Sequence, residues 1–137
     1  MDVIEGRWKV CSTDENMPKV LKAAGYSDEF LKNMKSGNDS QLIRTVSRQD
    51  GGMKVKTENN GVVIEETLLK PGEETAGVNL EGKEITRKLE IEDKTITVVE
   101  TYGGKCLKGT SKLEDGKMII TLQSGDEKAE VVHERLE

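Results

Sequence analysis

From Asp50 onward the chain carries a turn signal at every hairpin-length interval. The signals are Asp50-Gly51-Gly52, Asn59-Asn60-Gly61, Pro71-Gly72, Glu81-Gly82, Asp93-Lys94, Gly103-Gly104, Asp115-Gly116 and Gly125-Asp126. Runs rich in Thr, Val, Ile and Leu lie between them. Gly, Asn and Asp accept the positive φ of tight hairpin turns, so such pairs between apolar runs predict antiparallel hairpins. A chain that reverses this often holds only short strands. Each turn then fixes which side chains share a face.

Ahead of the turns the pattern differs. Trp8 and Val10 alternate with Arg7 and Lys9 between Gly6 and Ser12, which predicts a first strand. Met17, Val20, Leu21 and Ala24 then follow helical spacing and share one face. Pro18 suits a first helical turn and Gly25 a C-terminal stop. Ser27 is placed to cap a second short helix, with Asp28 and Glu29 at its positive end. Phe30, Leu31 and Met34 form its apolar side. The strand ladder begins at Gln41, and Met53, Val55 and Thr57 alternate with Lys54, Lys56 and Glu58.

The expected architecture is all-β and a single domain over residues 1–137. It is a ten-stranded antiparallel up-and-down barrel, with a helix-turn-helix lid between strands one and two. A long meander must bury one face and manage its edges, and closure does both. A two-sheet sandwich is the alternative. Its connections commonly cross between sheets, whereas nearly every connection here reads as a tight neighbour-to-neighbour turn.

Composition narrows the function. A net charge of -5 with one Trp, two Tyr and one Phe provides neither a basic stripe nor stacking aromatics for nucleic acid. No long apolar run predicts a membrane-spanning helix, and Met1 to Gly6 has no basic or apolar leader pattern, which favours the cytoplasm. Cys11 and Cys106 read as free thiols. With one His and no metal-ligand spacing, neither a metal site nor a cofactor is expected.

The turns also give a register, because residues flanking a two-residue loop pair and point the same way. Through Asp93-Lys94, Ile91 pairs with Ile96, Leu89 with Val98, Arg87 with Glu100 and Ile85 with Tyr102. Through Gly103-Gly104, Glu100 faces Leu107 and Val98 faces Gly109. Through Asp115-Gly116, Leu113 faces Met118 and Ser111 faces Ile120. Through Gly125-Asp126, Leu122 faces Ala129, Ile120 faces Val131 and Met118 faces His133. These sets form one face, mostly apolar. The opposite face is Thr, Lys and Glu.

Five polar residues remain inside: Arg87, Glu100, Tyr102, Ser111 and His133. Buried charge without a partner costs several kcal/mol, so this interior is either internally paired or wet. Ten strands enclose more room than the roughly eight that side chains can just fill. A few polar groups on apolar walls suit a small amphipathic ligand.

This layout resembles the intracellular lipid-binding proteins: the fatty-acid-binding, bile-acid-binding and cellular retinoid-binding proteins. The resemblance covers the whole chain. It rests on Gly6-Arg7-Trp8-Lys9-Val10, on Leu21-Lys22-Ala23 and Gly25, on Leu80-Glu81-Gly82-Lys83, and on the run from Glu114 to Leu122. It implies a helix-lidded, clam-shaped barrel that binds and transports one or two hydrophobic carboxylates without covalent chemistry or catalysis. A retinoid or other isoprenoid is an alternative cargo. An isomerase using Glu100 and His133 as base and acid is an alternative activity. Fatty-acid binders of this family carry an Arg-x-Tyr pair on the last strand. Val131 and His133 stand at those positions, and Ser111 replaces a second Arg. The pattern is nearer to the liver and bile-acid-binding branch.

The expected ligand-binding residues are Arg87, Glu100, Tyr102, Ser111, His133, Met17, Leu21, Met34, Ile120 and Val131. Arg87 is the candidate for a ligand carboxylate, since its planar fork matches one, although Glu100 opposite can neutralise it instead. His133 can donate to an anionic head group or stand as a neutral core histidine. Arg44 is a further inner-face candidate whose register depends on the loop before the second strand. Lys19, Lys22, Lys32 and Lys35 on the helices can touch an anionic membrane during ligand transfer. The protein is expected to be a monomer.

Overall fold

The computed structural model describes residues 5–36, 42–59, 61–79, 81–92 and 95–136. Strand β1 (Gly6–Thr13) leads into helices α1 (Met17–Ala23) and α2 (Asp28–Ser36). Nine strands follow: β2 (Leu42–Gln49), β3 (Gly52–Asn59), β4 (Val62–Leu69), β5 (Glu74–Val78), β6 (Glu84–Glu92), β7 (Thr95–Tyr102), β8 (Lys105–Glu114), β9 (Lys117–Ser124) and β10 (Glu127–Leu136). The ten antiparallel strands and the helix pair after β1 are those the turn signals predict. Gln41 and the Asp93-Lys94 turn lie outside the described residues.

The turns work as their composition requires. Asp50 and Gly51 take φ values of 49° and 77°, so Gln49 pairs directly with Gly52. Asp115 and Gly116 do the same at 53° and 79° and pair Glu114 with Lys117. Positive φ at both loop residues matches the twist of the flanking strands. The register through β6 to β10 follows: Arg87 opposite Glu100, Val98 opposite Gly109, Ser111 opposite Ile120, and Met118 opposite His133.

The strands form one sheet in the order β4-β3-β2-β1-β10-β9-β8-β7-β6-β5. The first and last strands are therefore neighbours in the middle of the sheet, with Arg7 opposite Leu136. The sheet curls into a nearly closed barrel whose two edges are β4 and β5. No backbone ladder joins those edges among the described residues.

Two apolar clusters fill the ends. At the base, Trp8, Val46, Met53, Leu69, Leu89, Ile96 and Met118 pack together. Trp8 is fully buried, with the Arg135 guanidinium 4.3 Å from its ring centre. At the lid, Val20, Leu21, Ala24, Tyr26 and Leu31 pack on Leu107 and Ala129.

The lid is tied down at the start of α2. The Ser27 hydroxyl accepts the Phe30 N–H at 3.2 Å, which is an N-cap. The same hydroxyl donates to Glu81, whose carboxylate also accepts the Ser27 N–H at 3.0 Å. Glu81 sits in the turn between β5 and β6, so this contact fastens the lid to the barrel rim. The Ser27 hydroxyl, more than the nearby Lys83 ammonium, holds the Glu81 carboxyl below its ordinary range. Gly25 between the helices has φ 104°, and a Cβ there would stand 2.9 Å from the Tyr102 ring.

Replacing Ser27 by Ala removes both the cap and the tie to Glu81. It should cost about 1 kcal/mol of stability in urea unfolding, and amides at the start of α2 should exchange faster than those of α1.

Candidate functional site

Between the two apolar ends the inner face carries polar side chains. On β6 Arg87 lies two residues before base residue Leu89. On β7 Glu100 lies between Ile96 at the base and Tyr102 near the lid. On β2 Arg44 lies two residues before Val46. The polar groups thus form a layer across the middle of the barrel. Inward apolar neighbours of this layer, Val55, Val98, Ile120 and Leu122, are only partly buried. Their open surface borders the space that the barrel encloses.

Each nitrogen of the Arg87 guanidinium makes a hydrogen bond. Its Nε donates to Glu100 Oε1 at 3.0 Å, its Nη1 to Glu65 Oε1, and its Nη2 to the Val78 carbonyl at 2.7 Å. Burial opposes its charge, but Glu100 and Glu65 outweigh that and hold the guanidinium above its ordinary value. Glu65 stands on β4, and its second oxygen accepts the Val78 N–H of β5 at 2.8 Å. One carboxylate therefore bridges the two sheet edges that lack a backbone ladder. Gly77 leaves room for this: a Cβ there would come 2.6 Å from Glu65 Oε2 and 2.7 Å from Arg87 Nη1.

Arg44 is placed differently. Its Nη1 lies 2.9 Å from His133 Nε2, and no carboxylate pairs with it among the described residues. A guanidinium only donates, so Nε2 accepts and the ring proton sits on Nδ1. Desolvation, reinforced by the Arg44 charge, lowers the His133 pKa to about 4, so the ring is neutral at pH 7. His133 is fully buried, with the Met118 and Val131 backbone close by, but its Nδ1 makes no well-formed hydrogen bond among the described residues. Burial also lowers the Arg44 pKa, and the nearby Arg87 adds to this while Glu100 opposes it. Arg44 nonetheless keeps some open surface. It stands opposite the fully buried Trp8 and so belongs to the inner face of the sheet.

The remaining expected residues are distributed along the barrel. Tyr102 stands beneath the helix junction, with Lys83 Nζ 5.5 Å from its ring centre. Ser111 is half-buried between Ile96 and Ile120, and its hydroxyl makes no described hydrogen bond. Ile120 borders the base cluster, whereas Met17 and Leu21 belong to the lid cluster. Val131 is buried on β10. The Met34 side chain lies outside the described residues. No described hydrogen bond joins Glu100 to His133. No group of metal-ligating side chains occurs among the described residues. No helix among them is long and apolar enough to cross a membrane.

Glu65 and Gly77 were not legible as site residues. A bulge between Thr57 and Glu58 hides Glu65, because it puts Glu58 opposite Val63 but Thr57 opposite Glu65. An unbroken hairpin would have sent Ile64 inward and Glu65 outward. In the structure Ile64 is left outside together with its neighbours Val62 and Val63.

Solved structures decide what this architecture is. A Schistosoma mansoni fatty acid binding protein in complex with arachidonic acid superposes with a TM-score of 0.87 at 20% identity, covering 100% of this chain and 98% of that one. Echinococcus granulosus fatty-acid-binding protein 1 gives 0.86 at 17% identity, with 100% of both chains covered. The fold is that of the intracellular lipid-binding proteins. The wild-type fluorescent protein UnaG shares it, with a TM-score of 0.84 at 25% identity and 98% of each chain covered. No family model matches the sequence, and no curated protein sequence matches it.

The bridge predicts a coupling. Glu65→Ala should cost about 3 kcal/mol in urea unfolding, because it strips a half-buried ion pair and frees the Val78 N–H. Glu65→Ala with Arg87→Ala should cost clearly less than the two single losses added together. Simple additivity would show that the pair does not act as a unit.

His133 predicts a pH dependence. Its folded pKa lies below the ordinary 6.5, so the unfolded chain binds more protons between pH 6.5 and 4. Stability should therefore fall as pH falls through that window. From pH 7 to 5 the His133 share is about 2 kcal/mol. His133→Gln should remove that share from the pH profile of the unfolding free energy, leaving the carboxylate-driven loss at lower pH.

Proposed function

We propose that this protein binds a small hydrophobic ligand inside the barrel, without covalent chemistry, and carries it through the cytoplasm as a monomer. The ligand class is a fatty acid, a bile acid or a related lipid carboxylate. One observation carries the reading. The inner wall is apolar at both ends, only partly buried in between, and interrupted by a single layer of charged and hydroxyl groups. An apolar tail finds Ile120, with Leu21 and Val131 packed in the wall beside it, while the polar layer of Arg44, Glu100 and Ser111, backed by Arg87 and His133, gives the other end of the molecule something to bond. Met17 and Tyr102 complete the wall beneath the lid, and Met34 stays a candidate from its place in the sequence alone. The solved structures of this fold that are titled as fatty acid binding proteins and a fatty acid transporter support the class. No step of a reaction is assigned to any of these side chains. The lid lysines remain candidates for brief contact with anionic lipid during transfer.

Native mass spectrometry of the purified protein, after incubation with a mixture of fatty acids, bile salts and retinoids, tests this. The expected result is one or two bound molecules of unchanged mass, released together with unfolding. Absence of any bound lipid would sink the carrier reading, and recovery of a chemically altered lipid would replace it with an enzyme.

A further inference from the structure

The polar layer contains two arginines in opposite situations. Arg87 spends its guanidinium on two carboxylates and a carbonyl, and those acceptors hold it from three sides. Among the described residues Arg44 has one hydrogen-bond partner, a neutral imidazole, with the Glu100 charge nearby but not bonded to it. A guanidinium offers five N–H donors, so most of those on Arg44 have no acceptor among the described residues. The choice between them follows from cost. A ligand anion at Arg87 must displace Glu100 or Glu65 and leave a carboxylate unpaired, whereas at Arg44 it displaces nothing.

We propose that Arg44 holds the anionic head group of the ligand, with Ser111 and the open Glu100–Arg87 face as the far side of the same layer. This rests on the carrier reading above and names the chemistry of its anchor. The group it fits is a monoanion, a carboxylate on a hydrocarbon body. Without ligand the layer is neutral, with Arg44 and Arg87 against Glu65 and Glu100. A monoanion adds one negative charge, held at the Arg44 fork, whereas a phosphate dianion adds two beside Glu100, which disfavours it. The neutral state of His133 belongs to the same device. A charged imidazole would repel the guanidinium, whereas the neutral ring accepts from Nη1 and fixes the direction of the fork. The head group then lies near the base, above Val46 and Trp8, and the tail runs towards Leu122 and the lid.

The test compares hexadecanoate, its methyl ester and hexadecyl phosphate in titrations of wild type, Arg44→Met, Arg44→Lys and Arg87→Met. Wild type should prefer the carboxylate to both other probes. Arg44→Met should lose roughly 10- to 100-fold for the carboxylate, the size of a lost charge-assisted pair, and little for the ester. Arg44→Lys should recover part of that loss. Arg87→Met should change carboxylate and ester alike. Nitrogen resonances of labelled arginine in the wild-type protein give a second readout that needs no variant: the Arg44 signals should move with carboxylate and not with ester. Equal losses for both probes in Arg44→Met, or a carboxylate-specific response at Arg87 alone, would overturn the assignment. Wild type that binds neither carboxylate nor ester would instead sink the carrier reading itself.

Discussion

The structure depends on how two carboxylates and two guanidinium groups share an apolar interior. Stripping a partner from one of the paired groups costs about 3–5 kcal/mol, a large share of the margin of stability of a single domain. Glu65 and Glu100 bracket Arg87, and the same Glu65 carboxylate takes the Val78 N–H across the sheet edges. Closing the barrel and neutralising its interior are thus one event. Gly77 is small because the pair passes over it. The layer lies between the apolar clusters around Trp8 and around Leu21, which fill the two ends.

Much of this was legible in the sequence, for a simple reason. Turns made by Gly, Asn and Asp fix a local register, and a register carries side-chain parity across neighbouring strands. From β6 to β10 every hairpin is tight, so Arg87, Glu100, Ser111 and His133 could be placed on one face. The Ser27 cap and the Gly25 stop were visible because capping is also local. What escaped was whatever depends on a bulge or on a contact between distant strands. The irregularity opposite Thr57 reversed the parity of β4, and the meeting of Arg44 with His133 joins residues from opposite ends of the chain.

The arginine contrast shows why type and face are not enough to assign a role. Both side chains point inward, and both match a carboxylate in shape. Arg87 was the easier to find because its hairpin is regular, and the same hairpin supplies the glutamate that occupies it. Arg44 comes from a strand that follows a loop without a clear signal, and it reaches a histidine that keeps no charge. The buried group with the fewest partners is the one with bonding capacity left to offer.

The sheet order has one more consequence. β1 and β10 are neighbours, while the chain crosses between the sheet edges through residues 70–73. A circular permutant opened at Pro71-Gly72, with its old ends joined, would run β5 to β10 and then β1 to β4. Its sequence order would equal its spatial order throughout. The one ladder that now requires the two ends of the chain to find each other would become an ordinary neighbour contact, lowering the contact order. The same side chains would close the same barrel, with the slow search for β1 by β10 removed from its folding.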